Sequence, residues 1–146
     1  MFFLCANLVF AQTYLPFHKQ GKWGVLDDSG SVVLSPKYAK IGFFVGDYTP
    51  VKLSLKWGVI SKDDKIIVPI EFDKVELVSP IFECYFKVFR DSGWGLIDRE
   101  QNQLIENKYE QLIFLDPHYY GLRNELHYLG KIGEGEIYKT GFTYLQ

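Results

Sequence analysis

Two carboxylate pairs, Asp27-Asp28 and Asp63-Asp64, are the first residues in this sequence with the chemistry to work on a substrate. Adjacent carboxylates can divide general acid from general base, or bind calcium. Both pairs lie in stretches of turn composition, "LDDSGS" and "SKDDK", where Asp is favoured because its side chain hydrogen-bonds the nearby backbone, and they read as turn residues. No HExxH, CxxC, Gly-x-Ser-x-Gly, Walker or GxGxxG pattern occurs, and Ser, His and Asp do not recur as a triad would, so no catalytic residue is assigned and no enzyme is expected. Of the three histidines, His18, His118 and His127, only the last two are placed to meet, and Asp116 or Glu125 would have to complete a ligand set. That spacing matches no zinc pattern, so neither a metal nor another cofactor is expected. In "IFECYFKVF" the alternation puts Phe82, Cys84, Phe86 and Val88 on one face, which makes Cys84 a small buried hydrophobe rather than a nucleophile.

Recognition chemistry has a better candidate. The stretch "LDPHYYGLRNELHYLG", residues 115 to 130, gathers His118, Tyr119, Tyr120, Arg123, His127 and Tyr128. Aromatic rings beside Arg and His can stack on sugars or anchor a protein partner, and the expectation is a loop carrying the main contact surface. On that reading, replacing Tyr119 and Tyr120 by Ala lowers capture and leaves the melting temperature nearly unchanged. The alternative is an eroded junction with half of these side chains buried.

The elements that would position such a surface are repeated. Trp23, Trp57 and Trp94 stand 34 and 37 residues apart, each followed by glycine, as Gly24, Gly58 and Gly95. Two and three residues after each Trp come Val25-Leu26, Val59-Ile60 and Leu96-Ile97, and four after it Asp27, Ser61 and Asp98. Turn residues and a second apolar run follow, which makes a β-hairpin. Fifteen residues after each Trp stands an aromatic, Tyr38, Phe72 and Tyr109, and a third extended segment closes each unit. The units run near 22–53, 56–88 and 93–126. A degraded fourth, 128–146, is placed by setting Leu129-Gly130 at the Trp-Gly position, with Tyr144 as its aromatic. "YLPF" at 14 to 17 looks like a spare third strand.

K-W-G-apolar-apolar-Asp, then a turn, an apolar run, Pro and an aromatic, resembles the WG-repeat, or KWG-repeat, family of bacterial β-rich proteins across residues 13 to 146. The resemblance implies tandem β units, often exported, and no agreed activity. Departures from the pattern are Gly93 for the Lys before Trp94, Gln101 and Asp64 for the turn glycine seen at Gly30, and Asn107 in the proline region.

Alternation sends Trp23 and Val25 to one face and Gly24 and Leu26 to the other, so the strand is apolar on both sides and must be covered on both. The indole is expected to fill the space between units, with the aromatic fifteen residues on nearby. The glycine leaves a notch for a ring or backbone on the other face. The fold class is therefore all-β, an open stacked array capped by the Leu129 unit, with a closed propeller-like ring as the alternative.

Twelve Phe, ten Tyr and three Trp support strands. A net charge of −2 with interspersed signs leaves no stripe for nucleic acid. "MFFLCANLVFAQ" reads as a signal segment over 1–11 that ends in an Ala-type cleavage site and removes Cys5; a buried strand is the other reading. The mature domain, 12–146, then carries no stable membrane span and is extracytoplasmic. The expected function is a non-catalytic exported module binding a protein or glycan at the cell envelope. The alternatives are a spacer or cap without ligand, and a glycan-active enzyme with its carboxylates on separate loops.

Overall fold

The computed structural model describes residues 14–78 and 85–141, and every regular element among them is a strand. The signal-like segment with Cys5, and also Phe82, Cys84 and Tyr144, fall outside those residues. The first sheet holds β1 (Leu15–Lys19), β2 (Lys22–Leu26) and β3 (Val32–Tyr38). The second runs β4 (Lys40–Ile41), β5 (Tyr48–Leu53), β6 (Lys56–Ser61) and β7 (Ile66–Phe72). The third runs β8 (Lys74–Val78), β9 (Tyr85–Arg90), β10 (Gly93–Asp98) and β11 (Gln103–Tyr109). The fourth runs β12 (Gln111–Leu115), β13 (His118–Arg123), β14 (Leu126–Lys131) and β15 (Gly135–Gly141). Each sheet is an antiparallel meander, and none closes into a barrel.

The sheets are out of phase with the sequence units. The third extended segment does not close the unit that precedes it. It folds into two strands, β4-β5, β8-β9 or β12-β13, and these start the next sheet. A period read from sequence carries no phase, because every window of one period contains the same strands in rotation.

Turn chemistry sets the hairpins. Asp27 Oδ1 accepts the Ser31 amide at 2.9 Å, Ser61 Oγ the Lys65 amide at 3.3 Å and Asp98 Oδ1 the Asn102 amide at 2.8 Å, which explains the polar residue four after each Trp. The Ser29 hydroxyl, followed by the Ser31 amide, holds the Asp27 carboxyl below its ordinary pKa. Gly30, Asp64 and Gln101 share the left-handed backbone, with φ of 81°, 61° and 68°, so the two substitutions for glycine keep its conformation.

Each WG strand faces a bulge. Trp23 pairs with Tyr38 and Val25 with Leu34, so β3 spends four residue steps where β2 spends two; Trp57 with Phe72 and Val59 with Val68 repeat this. The bulged backbone presses on the glycine. A Cβ on Gly24, Gly58 or Gly95 would lie 2.6 Å from the carbonyl oxygen of Leu34, Val68 or Ile105. The expected notch is real, and what fills it in all three units is partner-strand backbone.

Faces follow one rule. Val25, Leu34 and Tyr38 on the first sheet pack against Val51 and Ile60 on the second. Val59, Val68 and Phe72 pack against Phe86, Val88 and Ile97 on the third. Leu96, Ile105 and Tyr109 pack against Leu112, Phe114, Tyr119 and Tyr128 on the fourth. Consecutive residues such as Val59 and Ile60 thus serve two different cores, as the double apolar pair after each Trp requires. The fifteenth-residue aromatics, Tyr38, Phe72 and Tyr109, are all buried.

Candidate functional site

Two of the indoles, Trp23 and Trp57, are not part of those cores, and Trp94 packs only at the margin of the last. Trp23, Trp57 and Trp94 are each only half-buried, so they do not fill the space between sheets as expected; Val25, Val59 and Leu96, two residues on, do that. Trp94 is covered at the margin of the last core, with the Lys87 ammonium 4.7 Å above its ring and Phe89 edge-on at 5.2 Å. Trp23 and Trp57 line a groove of about 310 Å³ with Pro16, Lys40, Ile41, Gly42 and Phe43.

The segment after β4 builds the groove. The Gly42 amide donates to the Pro50 carbonyl at 2.8 Å, and the Thr49 hydroxyl donates to the Gly42 carbonyl at 3.0 Å, which pins this residue to β5. A Cβ there would stand 2.5 Å from Pro50 Cγ. Phe43 is then carried into solvent, 88% exposed, while Phe44 turns back onto Tyr14 with ring centroids 4.3 Å apart. A second hollow, about 170 Å³, lies against the same segment and is lined by Tyr14, Pro16, Val25, Gly42, Phe43 and Phe44. Among the described residues Lys40 is the one charged residue lining the larger groove, and the Lys52 ammonium stands 5.8 Å from the Trp57 ring. An apolar trough with cations at its margin suits an aromatic or aliphatic segment. In the sequence its trace was "IGFF", residues 41 to 44, where two consecutive Phe break the alternation.

The stretch 115 to 130 is not a loop. His118, Tyr119, Tyr120 and Arg123 lie on β13, His127 and Tyr128 on β14, and the pair forms a hairpin turned at Asn124 and Glu125, both with positive φ. Period-2 alternation divides the set. Tyr119 and Tyr128 are buried against Tyr109, with centroids at 5.9 and 5.8 Å, and Arg123 donates to the Tyr128 hydroxyl at 3.1 Å on that same face. Tyr120 and His127 meet on the opposite face through the phenol and Nδ1, and His118 is exposed. Six residues taken as one contact surface are therefore two faces, one of them core. Tyr119→Ala opens a cavity instead of leaving the melting temperature unchanged.

Pairing also corrects the fourth unit. Leu122 faces His127 as His18 faces Trp23, Lys52 faces Trp57 and Phe89 faces Trp94, so His127-Tyr128, and not Leu129-Gly130, holds the Trp-Gly position. The two choices differ by two residues, which preserves every face, so alternation alone could not separate them.

The remaining candidates resolve into links between sheets. The Tyr38 hydroxyl donates to Asp64 at 2.6 Å beside Lys37, and the Tyr109 hydroxyl donates to Glu136 at 2.6 Å with Lys108 at 3.1 Å. Burial pushes both phenols far above their ordinary pKa, with the acceptor carboxylate adding to the effect. At Phe72 the hydroxyl is absent; there Arg90 reaches Glu71 at 2.8 Å and lies 5.2 Å from the Phe72 ring centroid. Among the described residues no three His, Cys, Asp or Glu side chains gather as a metal site, and no helix is long and apolar enough to cross a membrane.

No curated protein matches the chain in sequence. A solved structure titled "Crystal Structure of the N-terminal Domain of Nup159" is similar over 90% of this chain and 42% of that one, at 11% identity and a TM-score of 0.48, so the chain spans less than half of that domain's length. The family model described as WG containing repeat matches residues 23–54 and 57–79, two adjacent units that each open on the tryptophan lining the groove. These two units, within residues 23–79, are similar to the WG-containing repeat.

Proposed function

We propose that the chain is a non-catalytic, exported interaction module that holds an extended apolar protein segment in the groove between its first two sheets. The observation that carries this reading is the pairing of two half-buried, repeat-encoded indoles with Phe43 held in solvent by a pinned Gly42. Aromatic side chains held in place by a rigid scaffold are the usual anchors of recognition surfaces. A glycan would need several convergent hydrogen-bonding groups, and among the lining side chains only the Lys40 ammonium and the two indole N–H groups provide any.

The test is selection of displayed random peptides on the intact protein. Apolar sequences are expected to be enriched, to shift tryptophan emission on binding, and to be lost with Phe43→Ala at unchanged melting temperature. Capture of protease-treated envelope polysaccharide in place of peptides would make the ligand a glycan. Failure of both would return the chain to the role of spacer. Export is tested separately by fractionation, with a mature N-terminus at Gln12 expected.

A further inference from the structure

Among the described residues, the face rule leaves two surfaces without a neighbour. On the first sheet, Leu15, Phe17 and Leu26 occupy the places of Thr49, Val51 and Ile60 on the second and of Phe86, Val88 and Ile97 on the third. Those six are buried, whereas Leu15 is 51% exposed and Phe17 and Leu26 are only partly buried. On the fourth sheet, Leu129 and its partner Tyr138 occupy the places of Val25-Leu34, Val59-Val68 and Leu96-Ile105. Again the earlier pairs are buried, while Leu129 is 46% and Tyr138 61% exposed.

The fourth sheet was expected to be a cap, and a cap turns a polar face outward. This one does the reverse. Glu76 and Lys87, a cross-strand ion pair at 2.7 Å on the third sheet, are replaced at the matching positions of the fourth by Ile113 and Tyr120, and Leu115 beside them is also exposed.

We propose that these two end faces bind one another between copies, the Leu129 face of one chain seating on the Leu15 face of the next. The three internal interfaces are the template: each packs a face of the Leu129 kind on a face of the Leu15 kind, and the association continues that packing beyond the first and fourth sheets. Such a contact is heterologous, so it forms a ring where the rotation between copies closes and otherwise extends in steps of one chain.

The experiment is sedimentation or light scattering of the full chain over a concentration series, with Leu15→Asp and Leu129→Asp each checked for an unchanged melting curve. The wild type is expected to associate as concentration rises, into a ring of fixed size or a growing series. Either variant alone is expected to stay monomeric, and their equimolar mixture to form a one-to-one dimer of twice the monomer mass that grows no further. A wild type that remains monomeric throughout, or a single variant that still dimerises by itself, overturns the proposal.

Discussion

At the scale of single residues, the glycine of each WG pair is more constrained than the tryptophan. Gly95 faces the Ile105 carbonyl at a distance no Cβ tolerates, and neither β10 nor β11 can yield without breaking its pairing. Gly95→Ala is expected to cost about 1–3 kcal/mol as overpacking, read as a lower urea midpoint at unchanged slope. The Glu136 carboxyl is a second such point. The Tyr109 hydroxyl, then Lys108, holds its pKa below the ordinary 4.5. A depressed carboxylate contributes stability that is present above its unfolded value and is lost as pH falls through the folded one. Stability is therefore expected to drop as the solution is acidified below pH 4.5, and Glu136→Gln to flatten that decline in a pH series of thermal melts. The glycine was legible in sequence because it recurs beside every Trp. The acid was not, since Glu136 sits 27 residues from Tyr109 and only the stacking of sheets joins them.

Among the elements, the β13-β14 hairpin shows how alternation decides which side chains are structural. Tyr119 and Tyr120 are neighbours in sequence, yet Tyr119 is buried beneath Tyr109 while Tyr120 lies on the far face beside His127. Tyr119→Ala is expected to cost about 3–5 kcal/mol, and Tyr120→Ala under about 1.5 kcal/mol, compared in one denaturant titration. The hairpins themselves were readable from turn residues and apolar pairs. The split of the third segment into two strands was not, because its reversal at residues 42 to 47 carries no paired hydrophobic signal and is fixed by contacts such as Gly42 to Pro50. The groove was missed for the same reason. Its indoles recur with the repeat and so looked like packing, whereas their exposure depends on which sheet edge Phe43 leaves open.

For the whole molecule, the architecture predicts a gradient of protection. Among the described residues, the second and third sheets are packed on both faces, the first and fourth on one. Amide exchange is expected to be slowest in β6 and β10 and fastest in β1 and β15, and uniform protection would contradict a stack held together by nearest neighbours. The fold class and the succession of repeated units were legible because they follow from a period, and a period survives substitution. The exposure of the two outer faces was not, because it depends on which sheets lack a neighbouring sheet among the described residues. The meander order carries one more consequence. Strands follow one another along each sheet in the order in which they are encoded, so any stretch of one period holds one strand of each kind, wherever it begins. A tandem duplication or deletion of that length in the coding DNA, at any breakpoint, therefore adds or removes one whole sheet and leaves the others intact. Unequal recombination can lengthen or shorten this protein without passing through a misfolded ancestor.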